Sequence, residues 1–110
     1  AIKEVYRDAE VTDRIVRKLE SLKAIAAGRG ARLIMLASYD FLIVENRDTS
    51  LLEWPAQAAA KAGIEFIDLM SAFGEAQMRC GLYSNPDHPG PLGHRIIAQK
   101  IMERLQTLAR

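Results

Sequence analysis

Residues 31–37 read Ala-Arg-Leu-Ile-Met-Leu-Ala (ARLIMLA), directly after a glycine break at Gly28 and Gly30. A strand with one wet face alternates apolar and polar residues. An unbroken apolar run is instead how a strand covered on both faces reads, and such strands belong to parallel sheets flanked by helices. The fold expectation starts from this strand.

Upstream, Val11, Ile15, Leu19, Leu22 and Ala26 recur at steps of three and four, with Val16 and Ile25 widening the stripe, which predicts an amphipathic helix ending at Gly28. Downstream, residues 38–49 are ambiguous. Phe41, Leu42, Ile43 and Val44 read either as a second short strand or as an apolar loop over the carboxyl edge of the sheet. Ser50 with Glu53 fits a capping box, and Pro55 suits the first turn of a helix running through Gln57 to Ala62 and stopping at Gly63. Ile64 to Asp68 (IEFID) alternates as a strand does. A short helix is then expected over Leu69 to Arg79, closed by Gly81, followed by a loop from Tyr83 to Gly93 (YSNPDHPGPLG). A last helix opens at Pro91 or Leu92, with Ile97, Ile101, Leu105 and Leu108 on one face.

Helix, strand, helix, strand, helix is the order of a layered α/β fold with parallel strands. The sheet is thin, and a helix precedes any strand. Both facts suit a domain whose earlier strands lie elsewhere, and an uncovered strand edge makes self-association an expectation.

The chain has 110 residues, 49% of them apolar and 26% charged, which predicts one globular domain over residues 1–110. Its formal net charge is +1 with the two signs interspersed, and none of its seven aromatic residues (one Trp, three Tyr, three Phe) lies in a basic cluster. Nucleic acid is therefore not an expected partner. Cys80 is the single cysteine, cannot form an internal disulfide, and reads as a small buried residue. No apolar run approaches the roughly 18 to 20 residues that cross a bilayer, so no membrane span is expected. The sequence opens on Ala1 with a charged helical pattern unlike a signal peptide, as a piece of a longer protein would.

Every feature that suggests chemistry falls between Asn85 and His94. Both histidines are there, with Asp87 beside His88 and a scaffold of prolines and glycines. A neutral imidazole is the best general base for a hydroxyl near pH 7, and it needs an acceptor on its second nitrogen. The plain reading is that Asp87 and Pro89 are turn residues and His88 a solvated loop histidine. No metal or cofactor is expected, because His88, His94 and Cys80 lack a ligand spacing. Trp54 and Tyr83 read as packing aromatics, and Met70, Met78 and Met102 as core filling. Asp68, at the end of a strand, reads either as pointing into a cleft or, in the commoner use, as a helix cap, and Arg95 either as meeting an anionic group at the helix start or as a plain exposed side chain.

The run Asp87, His88, Pro89, then Leu92, Gly93, His94, Arg95, Ile96, Ile97 and Ala98 resembles the last conserved block of the SGNH, or GDSL-type, esterases and lipases. The preceding order of elements is also similar to the second half of those hydrolases, so the resemblance covers essentially all 110 residues. It implies a flavodoxin-like three-layer α/β/α fold and hydrolysis of acyl or O-acetyl esters, on a small ester or an acylated glycan. His88 takes the place of the family's base, and His94 a non-catalytic place at the start of the final helix.

The family's aspartate stands three residues before that histidine, where this chain has Asn85. Asp87 from another angle, or Asn85 through its side-chain oxygen, is then left to orient the ring. The family's Gly-Asp-Ser nucleophile and its oxyanion donors have no counterpart. None of Ser21, Ser38, Ser50, Ser71 and Ser84 follows Gly-Asp, and Ser38, although at a strand end, lacks the glycine-flanked turn of a nucleophile. The expectation is thus an esterase segment whose serine lies outside these residues. Its rivals are an α/β binding module without chemistry and an O-acyltransferase.

Overall fold

A computed structural model describes residues 8–46, 53–77 and 79–109. It combines helices with two short parallel strands, a small α/β arrangement, and adds a separate antiparallel hairpin. The elements in order are α1 (Ala9–Gly28), β1 (Ile34–Ala37), α2 (Phe41–Asn46), α3 (Glu53–Ala62), β2 (Glu65–Asp68), α4 (Met70–Ala76), β3 (Tyr83–Asn85), β4 (His88–Pro89) and α5 (Pro91–Leu108). Contacts divide the chain into two compact units, Ala1–Leu36 with Thr49–Phe66 and Ala37–Asp48 with Ile67–Arg110.

In the first unit, Asp8 starts α1. Its carboxylate accepts the backbone N–H groups of Glu10 at 2.8 Å and Val11 at 3.4 Å, satisfying two donors that have no partner within the helix. The predicted stripe is covered over its first half, where Val16 is buried and Ile15 and Leu19 pack on Ala58, Ala59, Ala62 and Ile64. Leu22 and Ile25, further along the same stripe, stay 52% and 61% exposed, so the described residues cover only part of the face that the periodicity marks out. Three alanines on α3 permit a close approach of α1. Trp54 and Phe66 close the edges of this core.

Pro55 falls in the first turn of α3, where its missing N–H costs no hydrogen bond. Gly63 ends that helix with φ at 67°, a left-handed conformation, and a Cβ there would stand 2.8 Å from Lys23 Nζ. The capping-box reading of Ser50 lies outside the described residues. Strand β1 begins at Ile34, later than the sequence run, and all four of its residues are half-buried. The double covering implied by that run is therefore incomplete among the described residues.

In the second unit, Tyr39, Val44, Ile67, Leu69, Phe73, Ala76 and Leu82 are buried. Several expectations need correction here: Met102, read as core filling, is 55% exposed, and Cys80, read as a buried residue, is exposed. Residues 41–44 form neither strand nor loop but the start of helix α2. Asp40 is the cause, because its carboxylate accepts the Ile43 N–H at 2.9 Å and its carbonyl accepts that of Val44 at 3.2 Å, so the apolar run is wound into a turn. Helix α4 stops at Ala76 rather than Arg79. The stretch read as a loop contains the hairpin β3–β4, which pairs Tyr83 with Pro89 and Asn85 with His88. The last helix begins at Pro91 as expected, with Gly90 as its N-cap.

Candidate active site

Hairpin β3–β4 carries all three candidate site residues, and Asn85, Asp87 and His88 are all exposed. Asn85 Oδ1 accepts the backbone N–H of Asp87 at 3.0 Å, which bends the chain through the turn. The same oxygen lies 2.8 Å from His88 Nδ1. Since a backbone N–H can only donate, the atom facing it is the amide oxygen and not the nitrogen. That oxygen can only accept, so Nδ1 must carry the ring proton. A neutral His88 is then held as the Nδ1–H tautomer, with Nε2 bare and available to take a proton.

Asp87 enters this cluster through its main chain, while the described hydrogen bond of the ring goes to Asn85. An amide oxygen orients an imidazole much as a carboxylate does. It lacks the full negative charge that stabilises the imidazolium formed once the proton is taken.

The base of the hairpin closes on the start of α5. Gly90 N–H donates to Leu82 O at 2.8 Å and Leu92 N–H to Gly81 O at 2.9 Å. Gly93 is buried there, and a Cβ on it would run into the Leu82 carbonyl oxygen. This close approach explains the glycine of the Gly93-His94 pair. His94 itself is exposed, its N–H bonded to Gly90 O within the first turn.

Aromatic residues support the hairpin from the other side. The Tyr83 ring meets Phe41 and Phe73 edge-on, with centroids 5.7 Å away in both cases and interplanar angles of 85° and 76°. Its hydroxyl donates to Tyr39 O at 2.9 Å, and the Phe41 N–H donates to Pro86 O at 2.8 Å. Tyr39 in turn donates its hydroxyl to Asp68 Oδ1 at 3.3 Å, the same oxygen that accepts the Met70 N–H at 2.8 Å at the start of α4. Asp68 thus satisfies the first N–H of α4 from one position before its N-cap Leu69. Burial pushes the Tyr83 hydroxyl up to about 12, with the Asp40 charge adding to it. Burial also raises the Tyr39 hydroxyl, followed by the charge of Asp68 and the hydrogen bond to it.

Tyr83 therefore packs, as the sequence suggested. Tyr39 and Phe41 have no sequence signal beyond being aromatics just past an apolar strand. Ser38 is exposed one residue beyond β1, Ser84 Oγ donates to Pro89 O at 3.4 Å, and Ser21 Oγ donates to Arg17 O within α1. No described serine is hydrogen-bonded to the His88 ring.

Away from the hairpin, a cleft of about 390 Å³ lies between α4 and α5. Its lining includes Asp68, Ser71, Glu75, Lys100 and Arg104, so both signs of charge face it. Lys100 is paired with Glu103 at 3.3 Å. Among the described residues no group of three or more His, Cys, Asp or Glu is placed to hold a metal ion, and Cys80 is exposed and free. No described helix is long and apolar enough to cross a membrane.

No protein-family model matches the chain, and neither a curated protein nor a solved structure does.

Proposed function

We propose that this chain is the base-supplying segment of a serine ester hydrolase of the SGNH type, acting on acyl or O-acetyl esters. The observation that carries the reading is the 2.8 Å bond between His88 Nδ1 and Asn85 Oδ1. It joins the histidine of the Asp-His-Pro block to the residue three positions earlier, where the resemblance expects the orienting group. The finer fold proposed with it is a three-layer α/β/α domain, to which β1 and β2 would contribute two parallel strands.

In this reading His88 Nε2 accepts the proton of a serine hydroxyl as that oxygen attacks the ester carbon. The ring then returns the proton to the departing alcohol. Asn85 keeps the other ring proton on Nδ1 throughout, so Nε2 is bare before the attack and again after the proton is returned. The serine and the oxyanion donors come from outside these residues, and loss of such a donor costs on the order of a hundredfold to a thousandfold in turnover. The 110 residues alone are accordingly expected to be nearly inactive, because nucleophile, base and oxyanion donors act as one unit.

The test is ester hydrolysis by a polypeptide that includes the coding sequence upstream of Ala1. His88→Ala abolishes turnover if the assignment is right; full activity in that variant overturns it. If the intact polypeptide binds an ester or glycan without turnover, the rival reading of a binding module replaces this one, and the mixed-charge cleft between α4 and α5 is its natural place. Preferential transfer of the acyl group to an added sugar hydroxyl over water would make the enzyme an O-acyltransferase.

A further inference from the structure

Hairpin β3–β4 is too small to hold its own geometry. It has three residues on one strand and two on the other, and its register shifts between Tyr83 and Asn85, so the ladder is broken beside the residue that must face His88. Two-stranded hairpins are marginal in water even when regular, and a bulge removes pairing from one this short. The turn residues Asn85 to His88 are all exposed, so burial does not hold them.

The bonds of Gly90 and Leu92 to Leu82 and Gly81 hold only its base; toward the turn, two hydrogen bonds attach the hairpin to the segment just beyond β1: Tyr83 Oη–H to Tyr39 O, and Phe41 N–H to Pro86 O. They grip it at its first residue and at its turn, one on each side of Asn85. The Tyr83 ring, buttressed by Phe41 and Phe73, brings the hydroxyl to that carbonyl.

We infer that Tyr83 is a positioning residue for His88: its hydroxyl, bonded to the Tyr39 carbonyl, keeps the bulged strand in the register at which Asn85 Oδ1 meets the His88 ring. The inference rests on the reading of His88 as a base, yet it is a statement about ring geometry and is tested without any ester. Tyr39 enters through its main-chain carbonyl, whereas its own hydroxyl points away to Asp68. The effect therefore belongs to the hydroxyl of Tyr83 and not to that of Tyr39.

The experiment compares the parent chain with Tyr83→Phe and Tyr39→Phe by nitrogen-15 NMR of the His88 ring and by hydrogen exchange of the Phe41 amide. Tyr83→Phe retains the aromatic ring and removes one hydrogen bond. It is expected to leave helix content unchanged, to convert His88 from the Nδ1–H tautomer to a mixture, and to speed Phe41 exchange about five- to tenfold. Tyr39→Phe is expected to leave the His88 tautomer as in the parent. An unchanged tautomer in Tyr83→Phe overturns the inference, as does an equal change in Tyr39→Phe, which would mark general loosening. Should the hydrolase reading fail, the longer polypeptide shows no His88-dependent turnover while these spectra still respond to Tyr83→Phe, so the two failures are told apart.

Discussion

The helix pair α1–α3 and the hairpin β3–β4 are held by opposite means. The helices meet through a periodic stripe in which small side chains, Ala58, Ala59 and Ala62, face Val16, so their packing follows from spacing along each helix. The hairpin has no such stripe. It is held by single hydrogen bonds and ring contacts from residues about forty positions away, Tyr39 and Phe41, and by a glycine that lets Leu82 approach α5. A region built on periodicity tolerates loss at any one contact, whereas a region built on a few long-range anchors depends on each of them.

That contrast can be broken by substitution. The largest effect is expected for Phe73→Ala. Phe73 is fully buried and supports the Tyr83 ring, and emptying such a site costs about 3–5 kcal/mol. Chemical denaturation followed separately at residues of each unit should show the hairpin residues losing protection well before those of α1 and α3. Simultaneous loss would mean that the anchors are not specific to the hairpin. A smaller effect is expected on the helical side. Ala59→Leu places three extra carbons in the α1–α3 seam and should cost about 1–3 kcal/mol, read as a lower denaturation midpoint. No change would show that the seam is looser than its fully buried alanines indicate.

The smallest effect concerns alkaline pH. A buried phenol with a raised pKa stabilises the fold fully below its ordinary value of about 10, and the contribution is lost as pH rises through its folded value. For Tyr83 that value is about 12. Phe41 amide protection should therefore fall between pH 10 and about 12, with the fall reduced in Tyr83→Phe; a flat profile in the parent would contradict the burial of that hydroxyl.

Much of this was legible in the residues. The helix α1, the stop at Gly63, the strand ending at Asp68 and the start of α5 at Pro91 each rest on a local rule of spacing, capping or backbone conformation. Residues 41–44 read equally as strand or loop because a short apolar run carries no periodicity of its own, while one carboxylate, that of Asp40, decides for a helix. The hairpin was hidden because Pro86, Pro89 and Gly90 look like a loop, and its pairing draws on anchors that leave no trace in local sequence. Within the site, the spacing from Asn85 to His88 was visible through the resemblance. The choice between Asn85 and Asp87 was not, since sequence neighbourhood does not say where a side chain points. Tyr83 was legible as a packing aromatic, but its bond to Tyr39 was not, because a hydrogen bond spanning 44 residues has no periodicity to betray it.

The central claim is that Asn85 holds His88 as a base with Nε2 bare. Nitrogen-15 NMR of the His88 ring in its neutral form, in the parent chain and in Asn85→Ala, tests it most directly. The account predicts a proton on Nδ1 in the parent and a move toward Nε2–H in the variant. A parent ring protonated on Nε2, or the same tautomer in both proteins, would contradict it.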